Sequence, residues 1–336
     1  MRGVLYFRNG HTPAVRAALA RCFGQYCTEI ETYQRLIDEA TGQTSSGAVP
    51  LCWFYQDGKQ PVAFEKATGF DRVAQTVFAD DVFSVAVTSS DHKLATGFFE
   101  FSVFCIDAWQ SKAGGHGLDT LVFTVPRRFL ELRPGKFQAL FSDFANAVPT
   151  VHGHAGYAVN VPPLDREPNE ATEYVLAQRY GQGLDVGDPL RTDVRDMAER
   201  IKTVDWLGAI GAELLRKLGG AQRLQLPPDW FGRRPFGNGG LIIQAGAEPQ
   251  TSVSAGPGKS PAPPPAYIVL NDALPPIVAT TADALQNGTL SSTAPLLGTS
   301  EASEGWLRRF DVTPEDLLRA RAALLDTPKL SDSRPA

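Results

Sequence analysis

The sequence is short of the residues that cross-link chains and hold metals. In 336 residues it has four cysteines and five histidines. The cysteines are Cys22, Cys27, Cys52 and Cys105, with no Cys-x-x-Cys pair and no Cys/His group at zinc-finger spacing. They sit in apolar stretches, as buried free thiols do, which points to a reducing compartment. No segment approaches the ~20 apolar residues needed to cross a bilayer, so no membrane partner is expected. The opening MRGVLYFRNG holds only a short apolar run before Arg8. That run is too short for a signal peptide and reads as a first strand, so the expected location is cytoplasmic. A basic excess is missing too. Lys and Arg number 32 against 37 Asp and Glu, a net charge of −5. Direct nucleic-acid binding is therefore not expected.

What is present is globular. Apolar residues make up 43% and charged residues 21%, both near average, and the length allows a sizeable core. Thr12-Pro13 supplies an N-cap and a first-turn proline. Val15, Leu19, Cys22, Phe23 and Tyr26 then recur at helical spacing, and Thr41-Gly42 closes the segment. Phe137, Leu140, Phe141 and Phe144 mark an amphipathic helix over 136–147. Shorter helices are expected near 70–78 and 170–177. The face Leu207, Ile210, Leu214, Leu215, Leu218 predicts another, stopped by Gly219-Gly220. Val- and Phe-rich runs at 50–55, 82–87, 98–106 and 121–125 read as strands, as do 224–226 and 241–244. A last helix starts at Thr313-Pro314. Several strands run consecutively, which predicts an α+β fold with a mixed, largely antiparallel sheet or sheets flanked by amphipathic helices. The expected organisation is a single domain over 1–311, with 148–150 as the candidate point of subdivision, and a helix and tail over 312–336.

Four features could carry chemistry. GPGKS (256–260) ends like a phosphate-binding loop, but Val253 stands where glycine is needed, and Pro261, Pro263, Pro264 and Pro265 follow where the loop requires a helix. It reads as an ordinary loop. VHGHAGYAVN (151–160) puts His152 and His154 on one face of a strand, where both could reach a metal, but no third ligand has matching spacing. Gly153 and Gly156 beside them suggest close backbone packing. Asp107, Ser111, His116 and Asp119 share one loop, without a nucleophile elbow. Asp165, Glu167, Glu170 and Glu173 cluster after a diproline, either as a solvated helix start or as a partner-facing acidic patch. Asp80-Asp81 is a smaller acidic run of the same kind.

The segment IKTVDWLGAIGAELLRKLGG (201–220) resembles the TsiV-like type VI secretion immunity family. GYAVNV, RYGQGLDV, GGLIIQAGAEPQ, AYIVLNDALPPIV and WLRRFD (306–311) resemble further elements of that family, in the same order. The 250–265 loop is richer in Pro and Ser than the family pattern, and residues 312–336 run past its usual end. The resemblance implies a cytoplasmic protein that binds and blocks a toxic effector, with nucleases as the best-understood partners. An acidic inhibitor face would suit a phosphate-gripping nuclease. The four carboxylates from Asp165 to Glu173 are the candidate partner surface. No catalytic, cofactor or metal site is assigned. The alternatives are an effector chaperone or adaptor, and a metal-dependent enzyme using His152 and His154.

Overall fold

The computed structural model describes residues 1–42, 49–112, 117–164, 167–190, 197–237, 239–254, 261–287 and 296–332, with the backbone alone at 167–168. Strand β1 (Arg2–Phe7) leads into the long helix α1 (Pro13–Thr41). The Thr12 side chain accepts from the Val15 amide, and Gly42 closes the helix at φ 66°, where glycine is unstrained. Next come β2 (Trp53–Gln56), β3 (Val62–Ala63), α2 (Phe70–Thr76), β4 (Phe83–Thr88) and β5 (Glu100–Cys105). α3 (Ala108–Lys112), β6 (Asp119–Thr124), α4 (Arg128–Leu132) and α5 (Lys136–Ala147) follow. The later elements are β7 (Thr150–Gly156), α6 (Glu167–Tyr180), β8 (Leu207–Ile210), α7 (Ala212–Lys217), β9 (Phe231–Phe236) and β10 (Gly240–Ala245). α8 (Pro265–Asp272), α9 (Ser300–Leu307) and α10 (Pro314–Leu324) end the order.

The ten strands form one sheet in the order β3-β2-β4-β5-β6-β1-β7-β8-β10-β9. Every strand pair in it is antiparallel, an α+β architecture. β1 lies in the interior of the sheet, between β6 and β7. Its alternation sends Gly3, Leu5 and Phe7 to one face and Arg2, Val4 and Tyr6 to the other.

Helices α1 and α5 cover the first face with aromatic rings. Phe23 and Tyr26 of α1 meet Phe101 at 5.3 and 5.5 Å, and Phe137 and Phe144 of α5 meet Phe123 at 5.3 and 5.1 Å. Gly3 makes this possible, because a Cβ there would sit 2.3 Å from the Phe123 ring. On the second face, Tyr174 of α6 meets Trp306 of α9 edge-on at 5.5 Å, above β1 and β7.

The 207–218 segment differs from the expected single helix. Leu207–Ile210 is a strand paired with both β7 and β10, and only Ala212–Lys217 is helical. Gly208 and Gly211 weaken a helix there, and two ladders of backbone hydrogen bonds outweigh the i, i+3 leucine pattern. Leu224 and Leu226 are buried but extend no strand. The strand that follows is Phe231–Phe236, at one edge of the sheet, where Pro235 is tolerated. The 151–160 strand ends early, at Gly156.

Candidate functional site

β1 and β7 pair so that Val4 opposes His154 and Tyr6 opposes His152. Arg2 and both histidines therefore share the second face, and all three are buried. A charged strand residue with no access to water requires partners. They come from far along the chain. Asp185 is the hub: Arg2 Nη2 donates to its Oδ2 at 2.8 Å and Lys202 Nζ to its Oδ1 at 2.7 Å. His154 Nε2 lies 2.9 Å from Oδ2. Glu173 of α6 completes the group. Its Oε1 accepts from Arg2 at 3.5 Å, and its Oε2 accepts from the Gly187 amide at 2.6 Å and Gln286 Nε2 at 3.0 Å. Two cations thus face two carboxyls in the interior.

The surroundings set each protonation state. Burial works against a charged Asp185, but Lys202, His154 and Arg2 outweigh it and hold its carboxyl well below the usual range. For Arg2, burial is likewise outweighed, by Asp185 and Glu173, and its guanidinium is held charged. Burial pushes Glu173 up, against Arg2 and the Gly187 amide. Burial lowers His154 despite the pull of Asp185. It takes His152 down to about 3, against the bond to Met197. The bonds of these two rings follow. His152 Nε2 lies 2.9 Å from the Met197 carbonyl, which can only accept, so Nε2 carries the proton. A neutral His154 donates from Nε2 to Asp185 in the same way.

Gly156, at the end of β7, leaves room for Asp205: a Cβ there would sit 1.9 Å from Asp205 Oδ1. Oδ1 accepts from the Trp206 amide at 2.7 Å, and the Tyr267 hydroxyl of α8 also bonds this carboxyl. Burial pushes Asp205 up to about 7; the bonds from Trp206 and Tyr267 and the charge of Arg309 offset this only in part. Arg309, after α9, donates to the Gln182 carbonyl at 2.7 Å and Thr203 Oγ1 at 2.9 Å, and lies 4.3 Å from the Phe310 ring centre.

The histidine pair therefore has its Nε2 atoms engaged with Met197 and Asp185. Among the described residues, no group of three or more His, Cys, Asp or Glu side chains is arranged to hold a metal ion. Of the four carboxylates expected on a surface, Glu170 and Glu173 are 2% and 1% exposed, which corrects that expectation. They are three apart on α6 and share the face turned to the sheet, where Asn287 N donates to Glu170 at 2.5 Å. Asp165 lies outside the described residues, and Glu167 is described by its backbone alone. His116 and the 256–260 loop also lie outside. Asp107 caps α3, accepting from Gln110 N at 2.9 Å, and Asp119 accepts from Gly10 N at 2.6 Å and Ile106 N at 2.9 Å. Both carboxylates serve as structural acceptors. The cysteines are free: Cys22 and Cys105 are buried, Cys27 half-buried and Cys52 exposed.

A family model described as type VI immunity for VRR-NUC matches residues 18–310. The chain belongs to the TsiV family. No curated protein matches it. Among solved structures, the Pseudomonas aeruginosa T6SS protein PA0821 is 31% identical with a TM-score of 0.84, over 99% of this chain and 88% of that one. The TsiV elements of the sequence now have places in the fold. RYGQGLDV contributes Asp185, IKTVDW contributes Lys202 and Asp205, AYIV contributes Tyr267, and WLRRFD contributes Arg309. Four of the segments quoted above thus place side chains in the polar interior beside β1 and β7. At the surface, Tyr157 and Glu248 of two TsiV elements border a cleft of about 380 Å³ with Arg127 and Glu131. The signal for the interior lay in isolated charges within apolar runs, such as Arg2 before VLYF and Asp185 in GLDV.

Proposed function

We propose that this chain is an immunity protein that binds a nuclease effector of a type VI secretion system in the cytoplasm and neutralises it by association. The observation that carries this reading is the family match over 18–310, reinforced by the 31% identical T6SS protein that aligns over almost the whole chain. The chemistry inside agrees with a binding role. Arg2, Lys202, Asp185, Glu173 and His154 of the second face are buried and bonded within one group, an arrangement that holds a fold together. No helix among the described residues is long and apolar enough to cross a membrane, and the net charge of −5 suits a basic protein partner better than nucleic acid.

The test mixes the purified chain with the VRR-NUC effector encoded beside it. A one-to-one complex in which DNA cleavage stops, with survival of cells co-expressing both, supports the reading. Absence of a complex, or a complex that still cuts DNA, overturns it. The second outcome would instead describe an effector adaptor.

A further inference from the structure

We infer that the corner made by Phe78–Asp81 and Trp109 is the docking surface for the basic, phosphate-gripping face of the effector nuclease. This rests on the function proposed above. Phe78 is 77% exposed and Trp109 60%. Single exposed aromatics are common, but these two stand on joined segments: the Ala108 amide donates to the Ala79 carbonyl at 2.9 Å.

The corner is held rigid from below. Arg16 of α1 is buried and donates to the Phe78 carbonyl at 3.1 Å, to the Val77 carbonyl, and to the Gly10 carbonyl at 3.2 Å. Its guanidinium lies 5.2 Å from the Phe83 ring centre. The Asp81 amide closes the loop onto the Phe78 carbonyl at 3.2 Å. On the other segment, Asp107 caps α3, and Asp119 ties the end of β5 to the turn after β1. A buried arginine and two carboxylates thus fix the backbone that presents two rings to water. A fixed backbone lowers the ordering penalty on binding, leaving only the rotamers of the two rings to be ordered.

The chemistry of the partner follows from the charges. Asp80 and Asp81 are exposed beside Phe78, and the cation beneath them, Arg16, is buried and faces Asp81 from the interior. Lys112 is the single basic residue of α3. Aromatic anchors bordered by carboxylates complement a surface of Lys and Arg with apolar hollows between them, which a phosphate-binding cleft supplies. Phe98, 73% exposed, precedes the opposite end of β5 and serves as the control.

The experiment titrates the catalytically inactivated VRR-NUC effector into the full-length chain by calorimetry. Phe78→Ser with Trp109→Ser weakens binding by about 100-fold or more while the thermal midpoint stays unchanged. Asp80→Lys with Asp81→Lys weakens it by about tenfold or more at low salt and flattens its salt dependence. Phe98→Ser leaves it within twofold of wild type. If wild type binds and both double variants bind equally well, the corner is overturned and the function stands. Loss of binding through Phe98 alone also overturns it. If wild type fails to bind, both fall together.

Discussion

On one face of the sheet, Phe101 and Phe123 meet Phe23, Tyr26, Phe137 and Phe144. On the other, Arg2, His154 and Lys202 meet Asp185, and Arg2 also meets Glu173. The same two strands, β1 and β7, contribute to both. The apolar face is non-directional: rings can shift slightly and keep most of their burial. The polar face is all or nothing, because each buried charge depends on a named partner, and losing one strands the others. The first layer is filled with rings, and the second is positioned by ion pairs and hydrogen bonds.

Removing the hub of the polar face should do the most damage. Asp185→Ala leaves Arg2, Lys202 and His154 without their shared acceptor and should cost about 3–5 kcal/mol in denaturant unfolding, or prevent folding. A loss under about 1 kcal/mol would mean that water reaches the group. Phe123→Ala on the apolar face should cost a similar or slightly smaller amount, about 3–4 kcal/mol, but equally at every pH. A pH-dependent loss there would break the contrast. Gly156→Ala should cost about 2–3 kcal/mol, because the added methyl overlaps a buried carboxylate that is itself hydrogen-bonded. Full stability of that variant would show that Asp205 can swing away.

The pH response separates the faces further. His152 is held near 3 by burial, against an ordinary value of 6.5. Below 6.5 the unfolded chain takes a proton that the folded chain refuses. The stability from this group is therefore present above pH 6.5 and is lost as pH falls toward 3, about 2 kcal/mol between pH 7 and pH 5. Asp205 acts in the opposite sense. Its folded value is raised to about 7 from 3.8, so its contribution is full below 3.8 and is lost as pH rises through 7. In melts across pH 4–8, His152→Asn should remove the first slope and Asp205→Asn the second. Unchanged slopes would remove these groups from the account. The smallest effect belongs at the surface. Lys217→Ala breaks a 3.0 Å pair with Glu199, whose side chain is 69% exposed, and should cost under about 1 kcal/mol. A larger loss would blur the distinction between buried and exposed charge.

The two faces also differ in how they could be read beforehand. The 136–147 helix shows its period in twelve residues, and the structure has it at Lys136–Ala147. The N-cap, first-turn proline and closing glycine of α1 are local signals too. Arg2 and Asp185 are 183 residues apart, and no periodicity links them. Hence the acids at 170 and 173 look like a solvated helix start when their partners are out of view. The 207–218 segment shows a related limit: Leu207 and Ile210, three apart, fit a helical face, and the pairing with β7 and β10 that makes them a strand is not written in the local sequence. Gly153 and Gly156 were legible because a missing Cβ is a local fact. Their crowding against Val4, Leu5 and Asp205 follows the expectation of close packing.

The interior place of β1 has a consequence in time. Its neighbours are β6 and β7, and its arginine binds residues 173 and 185. A chain emerging from the ribosome makes β1 before either neighbour, and the strand has no ladder on either side until more than a hundred further residues have followed. Until then a nascent apolar strand carrying an unpaired arginine has to be kept from other chains. Such long-range closure slows folding and favours completion after synthesis. For the immunity role proposed above, only finished molecules could bind an effector, so that role would call for a folded stock ahead of it.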